Sequence, residues 1–148
     1  MYDNGKNIQF EIVTPERTVL KEQILQVTVP TRDGEITVLP KHMPLVSMLK
    51  PGVIELKTVG GEVKLMSVSG GFIEVLRNKV VILADTAERA EEIDLERAEE
   101  ARVKAEKTMQ EAVHFDEEQF TAINAAIAKE LARTKAAKKW KHLNGERK

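Results

Sequence analysis

The 148-residue chain contains no cysteine, which excludes disulfide bridges and thiolate metal sites. It has almost no net charge, −1 at neutral pH. Nothing global therefore points to nucleic acid or anionic lipid as a partner. No apolar run approaches the roughly 18 residues needed to span a bilayer. The first residues, Met1 to Lys6, lack both the apolar core of a secretory signal and the Arg-rich character of a transit peptide. The expectation is a soluble, cytosol-facing protein that meets a membrane only through a partner. Catalytic signatures are missing too. There is no G-x-x-x-x-G-K-[ST] phosphate loop, no G-x-G-x-x-G and no G-x-S-x-G elbow. His42, His114 and His142 stand far apart, without metal-ligand spacing. The carboxylates crowd into the second half and read as a solvated face, so an enzyme is not expected.

Glycine and proline are absent from Thr86 to Ala137, and this divides the chain. Before that point they punctuate short alternating runs. Ile8 to Val13 alternates apolar and polar residues, as a half-buried strand should. Leu25, Val27 and Val29 alternate until Pro30, and Asp33-Gly34 is a tight-turn pair followed by Ile36 and Val38. Pro40 and Pro44 mark an irregular loop, and Lys50-Pro51-Gly52 has type II turn order. Further runs surround Ile54, Leu65, Ile73 and Val80 to Leu83, with a glycine turn or bulge expected at Gly70-Gly71. Seven to ten strands with no helical period between them predict a β-sandwich or flattened barrel over residues 1–85.

Residues 86–148 read as an antiparallel two-helix hairpin with a basic C-terminal tail, giving an α+β chain, mainly β and then α. Asp94 is one candidate N-cap, and Asp85 with Glu88 is a rival capping box. Ala98, Ala101, Ala105, Met109 and Ala112 form a first apolar stripe. The pattern resets near Val113, Asp116 with Gln119 resembles a second capping box, and Phe120, Ile123, Ile127 and Leu131 form a second stripe. Thr86 to Glu118 holds 12 acidic and 5 basic residues, net −7, whereas Lys129 to Lys148 holds 2 and 8, net +6. The two helices are thus electrostatically matched, and a hairpin with so little core should be weakly held. The tail from Ala136 to Lys148, with the only tryptophan, reads as a solvated, fraying helix end; contact with an acidic partner or nucleic acid is the alternative.

In order, Ile12-Val13-Thr14-Pro15-Glu16, the run from Asp33 to Pro40 with His42 and Pro44-Leu45, Ser69 to Val75, and above all Val81 to Asp94 resemble the epsilon subunit of the F-type ATP synthase, over residues 8 to about 135. The resemblance implies a non-catalytic rotor subunit that couples proton transport to ATP synthesis; sodium coupling stays open. Its sandwich would sit at the foot of the central stalk, against the gamma subunit and the c-ring. The hairpin would either fold down on the sandwich or extend toward the catalytic alpha/beta hexamer and inhibit ATP hydrolysis. The location implied is the cytoplasmic side of the bacterial cell membrane, peripheral, with no required cofactor and no nucleic acid.

In several bacterial members an Ile/Leu-Asp-x-x-Arg-Ala motif binds ATP as a regulatory ligand. Ile93, Asp94, Arg97 and Ala98 match its fixed positions, and Glu88 stands at the family's upstream glutamate. Asp94 and Glu88 would accept hydrogen bonds from the ribose or adenine, Arg97 would pair with phosphate, and Ala98 would leave room for the base. The alternative is that Asp94 is only an N-cap and Arg97 a solvated helix residue. Where strong binders supply further arginines, this chain has Lys104, Lys129 and Arg133. The loops Arg32 to Glu35 and Lys41 to Pro44 are the candidate contacts for gamma and the c-ring. A free-standing adaptor with a β platform and a helical arm is the competing reading.

Overall fold

The computed structural model describes residues 5–111 and 114–145. The predicted positions Ala112 and Val113, and residues 146–148 of the tail, lie outside them. Nine strands form the N-terminal part: β1 Ile8–Val13, β2 Thr18–Thr31, β3 Gly34–Val38, β4 Leu45–Leu49, β5 Gly52–Thr58, β6 Val63–Val68, β7 Gly71–Val75, β8 Lys79–Ala84 and β9 Ala87–Arg89. Their order is β1-β8-β7-β4-β2-β5-β6-β9. β1 also closes back on β2, and β3 pairs with β2. β1 and β8 run parallel; the other pairings are antiparallel. This is the expected β-sandwich or flattened barrel.

The period-2 pattern places its apolar members inside. Ile8, Phe10 and Ile12 of β1 meet Val27 and Val29 of β2, Ile54 and Leu56 of β5, Ile73 of β7 and Ile82 of β8 in one buried cluster. β2 is longer than predicted. It begins at Thr18 and continues through Pro30, where the sequence reading stops it. Pro30 is the penultimate residue of the strand, where one missing ladder N–H is tolerated, and its carbonyl accepts from the Lys50 N–H at 3.1 Å. Gly70 and Gly71 have φ of 128° and 132°, as a tight approach between strands requires. A Cβ on Gly71 would overlap the Leu83 carbonyl oxygen.

Three expectations need correction past residue 85. Glu88 caps no helix: it lies in β9, which pairs with β6 at Ser67. A 3₁₀ turn, Ala90–Glu92, follows, and the first helix, α1, starts only at Leu95 (Leu95–Glu111). The second stripe is not the buried one. Phe120 and Leu131 are about half exposed, whereas the second helix, α2 (Glu117–Gly145), buries Ala132, Thr134, Ala136 and Ala137. The tail is no frayed end, since α2 runs through it to Gly145, and Trp140 and Leu143 pack against the sandwich.

Lys138, late in α2, pairs with Glu99, early in α1, at 3.0 Å, so the two helices are antiparallel as predicted. Counting back at equal rise along both helices sets Glu111 opposite about Ala126. Phe120, in the first turn of α2, is half exposed.

Candidate functional site

The five predicted residues lie on the short path from the sheet to α1. β9 holds Glu88. The 3₁₀ turn ends on extended Ile93, whose N–H donates to the Ala90 carbonyl at 3.2 Å and whose side chain is buried. Asp94 is the N-cap: its Oδ1 accepts the Arg97 N–H at 3.1 Å, and its carbonyl accepts the Ala98 N–H at 3.0 Å. Ala98 is fully buried against Leu65 and Ala136. The Arg97 side chain is exposed and makes no ion pair among the described residues.

Glu88 has a partner that spacing could not reveal. Arg133 of α2 donates from Nε to Oε2 at 2.7 Å and from Nη2 to Oε1 at 3.3 Å. Its Nη1 reaches Glu130 at 2.9 Å. Burial works against the Arg133 charge, but hydrogen bonding and attraction from Glu88, then Glu130, more than offset it and hold the pKa above its ordinary value. Arg133 alone among the three further cations is thus tied to a motif residue. Lys104 is exposed and Lys129 half-buried. The structure joins Glu88 to Arg133 and Asp94 to the Arg97 N–H, as two separate contacts at the sheet end and at the helix start. Among the described residues no cluster of side chains is suited to hold a metal ion.

Two features escaped the sequence reading. A cavity of about 290 Å³ lies beneath the end of α2, between Trp140, Leu143, Arg89, Glu91 and Leu65, and contains none of the five motif residues. On the outer face of the sheet, Met48, Phe72 and Leu83 form one cross-strand row by register, with Val46 beside it, and all four are exposed. The alternation at β4, β7 and β8 carried this signal, because apolar residues occupy both faces. The predicted contact loops are solvent-facing: Arg32, Asp33 and Lys41 are exposed, and Met43 is 79% exposed.

Among the described residues, the fold defines a class: a nine-stranded β-sandwich that carries two C-terminal helices. The sequence profile for the ATP synthase delta/epsilon chain β-sandwich domain matches residues 7–90. The ATP synthase epsilon chain of Herpetosiphon aurantiacus is 52% identical over 105 residues, 70% of this chain and 76% of that one. That of Syntrophobacter fumaroxidans is 42% identical over 135 residues, 91% of this chain and 98% of that one. In the Euglena gracilis mitochondrial ATP synthase (OSCP/F1/c-ring), one chain superposes with a TM-score of 0.75 at 27% identity, covering 89% of this chain and 84% of that one. The chain belongs to the ATP synthase delta/epsilon family, as a non-catalytic subunit of the rotary complex.

Proposed function

We propose that the chain is the epsilon-type rotor subunit of the central stalk, coupling ion transport to ATP synthesis, and that its helical hairpin restrains ATP hydrolysis. The observation that carries the regulatory part is the separation of two apolar clusters. The sandwich has its own core, and the hairpin rests on a smaller cluster of Leu65, Ala90, Ile93, Ala98, Ala136 and Ala137. Alanine methyls bury little area, so the hairpin can leave while the sandwich stays folded. Such a weakly docked arm on a stable platform is a bistable element.

The sandwich supplies the stalk contacts. The exposed row of Met48, Phe72 and Leu83 is an apolar surface suited to the gamma subunit, and the loops near Arg32 and Met43 suit the c-ring. The released hairpin would reach the alpha/beta hexamer. Among the described residues no helix is long and apolar enough to cross a membrane, which fits a peripheral place; the cytoplasmic face of the bacterial membrane is our assignment.

ATP is the regulatory ligand of the docked form, held by Asp94, Arg97 and Glu88 with Ile93 and Ala98 shaping the wall. The test of the regulatory role adds the purified chain to an F-type catalytic sector lacking its equivalent subunit. Hydrolysis should fall, and the chain should co-purify with gamma. Unchanged hydrolysis with gamma bound would end the regulatory reading, and failure to bind gamma would end the stalk reading.

A further inference from the structure

The hairpin's attachment to the sandwich is concentrated near one end of α2. α1 has one fully buried side chain, Ala98. α2 buries four, all between Ala132 and Ala137, and Trp140 and Leu143 extend the same contact onto Leu65 and Ile93, with Val53 and Val63 packed alongside. Two ion pairs cross from this stretch to the sheet: Arg133 to Glu88 at 2.7 Å, and Lys139 to Glu55 at 2.6 Å. A third, Lys138 to Glu99, ties α1 to the same stretch. The cavity under Trp140 and Leu143 leaves one flank incompletely packed.

We propose that residues 132–143 form a latch, partly ionic and partly aromatic, that sets whether the whole hairpin is docked, with α1 carried along by it. Of the two clasps to the sheet, Lys139 and Glu55 are the more open to solvent, with side chains 45% and 37% exposed against 20% and 38% for Arg133 and Glu88, so salt or a competing polyanion reaches them first. Trp140 supplies the apolar part, packed against the cluster of Leu65 and Ala136. The latch needs only the docked geometry and holds whether or not ATP binds at Asp94 and Arg97.

Amide hydrogen exchange by mass spectrometry on the full chain tests this, with Trp140→Ala, Glu55→Gln and the charge swap Glu55→Lys with Lys139→Glu. The decisive peptides cover α1, remote in sequence from the substitutions, with β7 and β8 as the folding control. Glu55→Gln should speed exchange in α1 about two- to fivefold, the swap should restore it, and Trp140→Ala should speed it about tenfold or more. Raising salt from about 0.05 to 0.5 M should open wild-type α1 similarly and affect Glu55→Gln less. Faster exchange confined to residues 136–145, with α1 unchanged, overturns the latch. If a variant also loosens β7 and β8, the wild-type salt series decides, and no salt response in α1 overturns it.

Discussion

The Arg133 guanidinium on α2 and the Glu88 carboxylate on β9 are joined by two hydrogen bonds, at 2.7 and 3.3 Å, across 45 residues of sequence. One end of the pair belongs to the sheet and the other to the helical arm, so the pair reports docking directly. Because the Glu88 side chain is 38% exposed, its net contribution is discounted to about 1 kcal/mol or less. Arg133→Lys keeps the charge but loses the two-pronged geometry, and should weaken docking nearly as much as Arg133→Gln. A double-mutant cycle with Glu88→Gln, read by helix exchange, should return a coupling of that size. The raised Arg133 pKa keeps the guanidinium charged throughout the neutral range, so its side of the coupling should not change with pH there.

Acid should loosen the seam between the helices. Hydrogen bonds from Arg102, then from Lys138, hold the Glu99 carboxyl below its ordinary value of 4.5. A lowered folded-state pKa adds stability that is fully present above that ordinary value and is lost as pH falls through the folded one. Hairpin protection, taken as exchange relative to the unstructured rate at the same pH, should therefore fall below about pH 4.5, and Glu99→Gln should remove much of that acid dependence while loosening the seam at neutral pH.

Thr134 is buried, 6% exposed, and its Oγ1 has no hydrogen-bond partner among the described residues. A buried hydroxyl without a partner carries an uncompensated desolvation penalty. Thr134→Val, close in volume and helix propensity, should stabilise the docked hairpin by about 1 kcal/mol. Denaturant unfolding followed by helix content would show the gain; a loss would mean the hydroxyl is satisfied in solution.

Gly71 marks where the sandwich tolerates no side chain. Its φ is 132°, and a Cβ would stand 2.8 Å from the Ala84 Cα as well as overlapping the Leu83 carbonyl oxygen. Gly71→Ala should cost about 3 kcal/mol or more, enough to threaten the fold of a small domain. Gly61→Ala, at φ 83° but facing open space, should cost only about 1 kcal/mol in the same denaturation experiment.

The strands were legible because burial on one face imposes period 2, and glycine and proline separated the runs. β9 was not, because Ala87, Glu88 and Arg89 have helix-forming composition and become a strand only because β6 offers Ser67 and its neighbours as partners. The α2 face was misread for a related reason. Phe120, Ile123, Ile127 and Leu131 have the stronger apolar signal, yet alanines permit the closest approach to the sheet, so Ala132, Ala136 and Ala137 took the contact. Of the site, the Asp94 cap was readable from local pattern. The Glu88 and Arg133 pair, made by tertiary packing, left no local trace.

Asp94 holds both a structural and a proposed binding role, and one substitution separates them. As N-cap its side chain accepts the Arg97 N–H, which an asparagine amide oxygen does about as well. Asp94→Asn should therefore leave helix content and stability nearly unchanged, whereas Asp94→Ala should cost about 1 kcal/mol. Asparagine loses the carboxylate that would accept from a nucleotide's ribose or amino group. Arg97→Ala removes an exposed guanidinium with no ion pair to lose among the described residues, and so should not disturb the fold. In an ATP titration followed by amide chemical shifts, wild type should saturate, Asp94→Asn should bind several-fold more weakly, and Arg97→Ala should lose about tenfold or more, as removal of a charge-assisted phosphate contact does. If both stable variants bind ATP as wild type does, Asp94 is a helix cap and nothing more, and control of the arm passes to the contacts at the far end of α2.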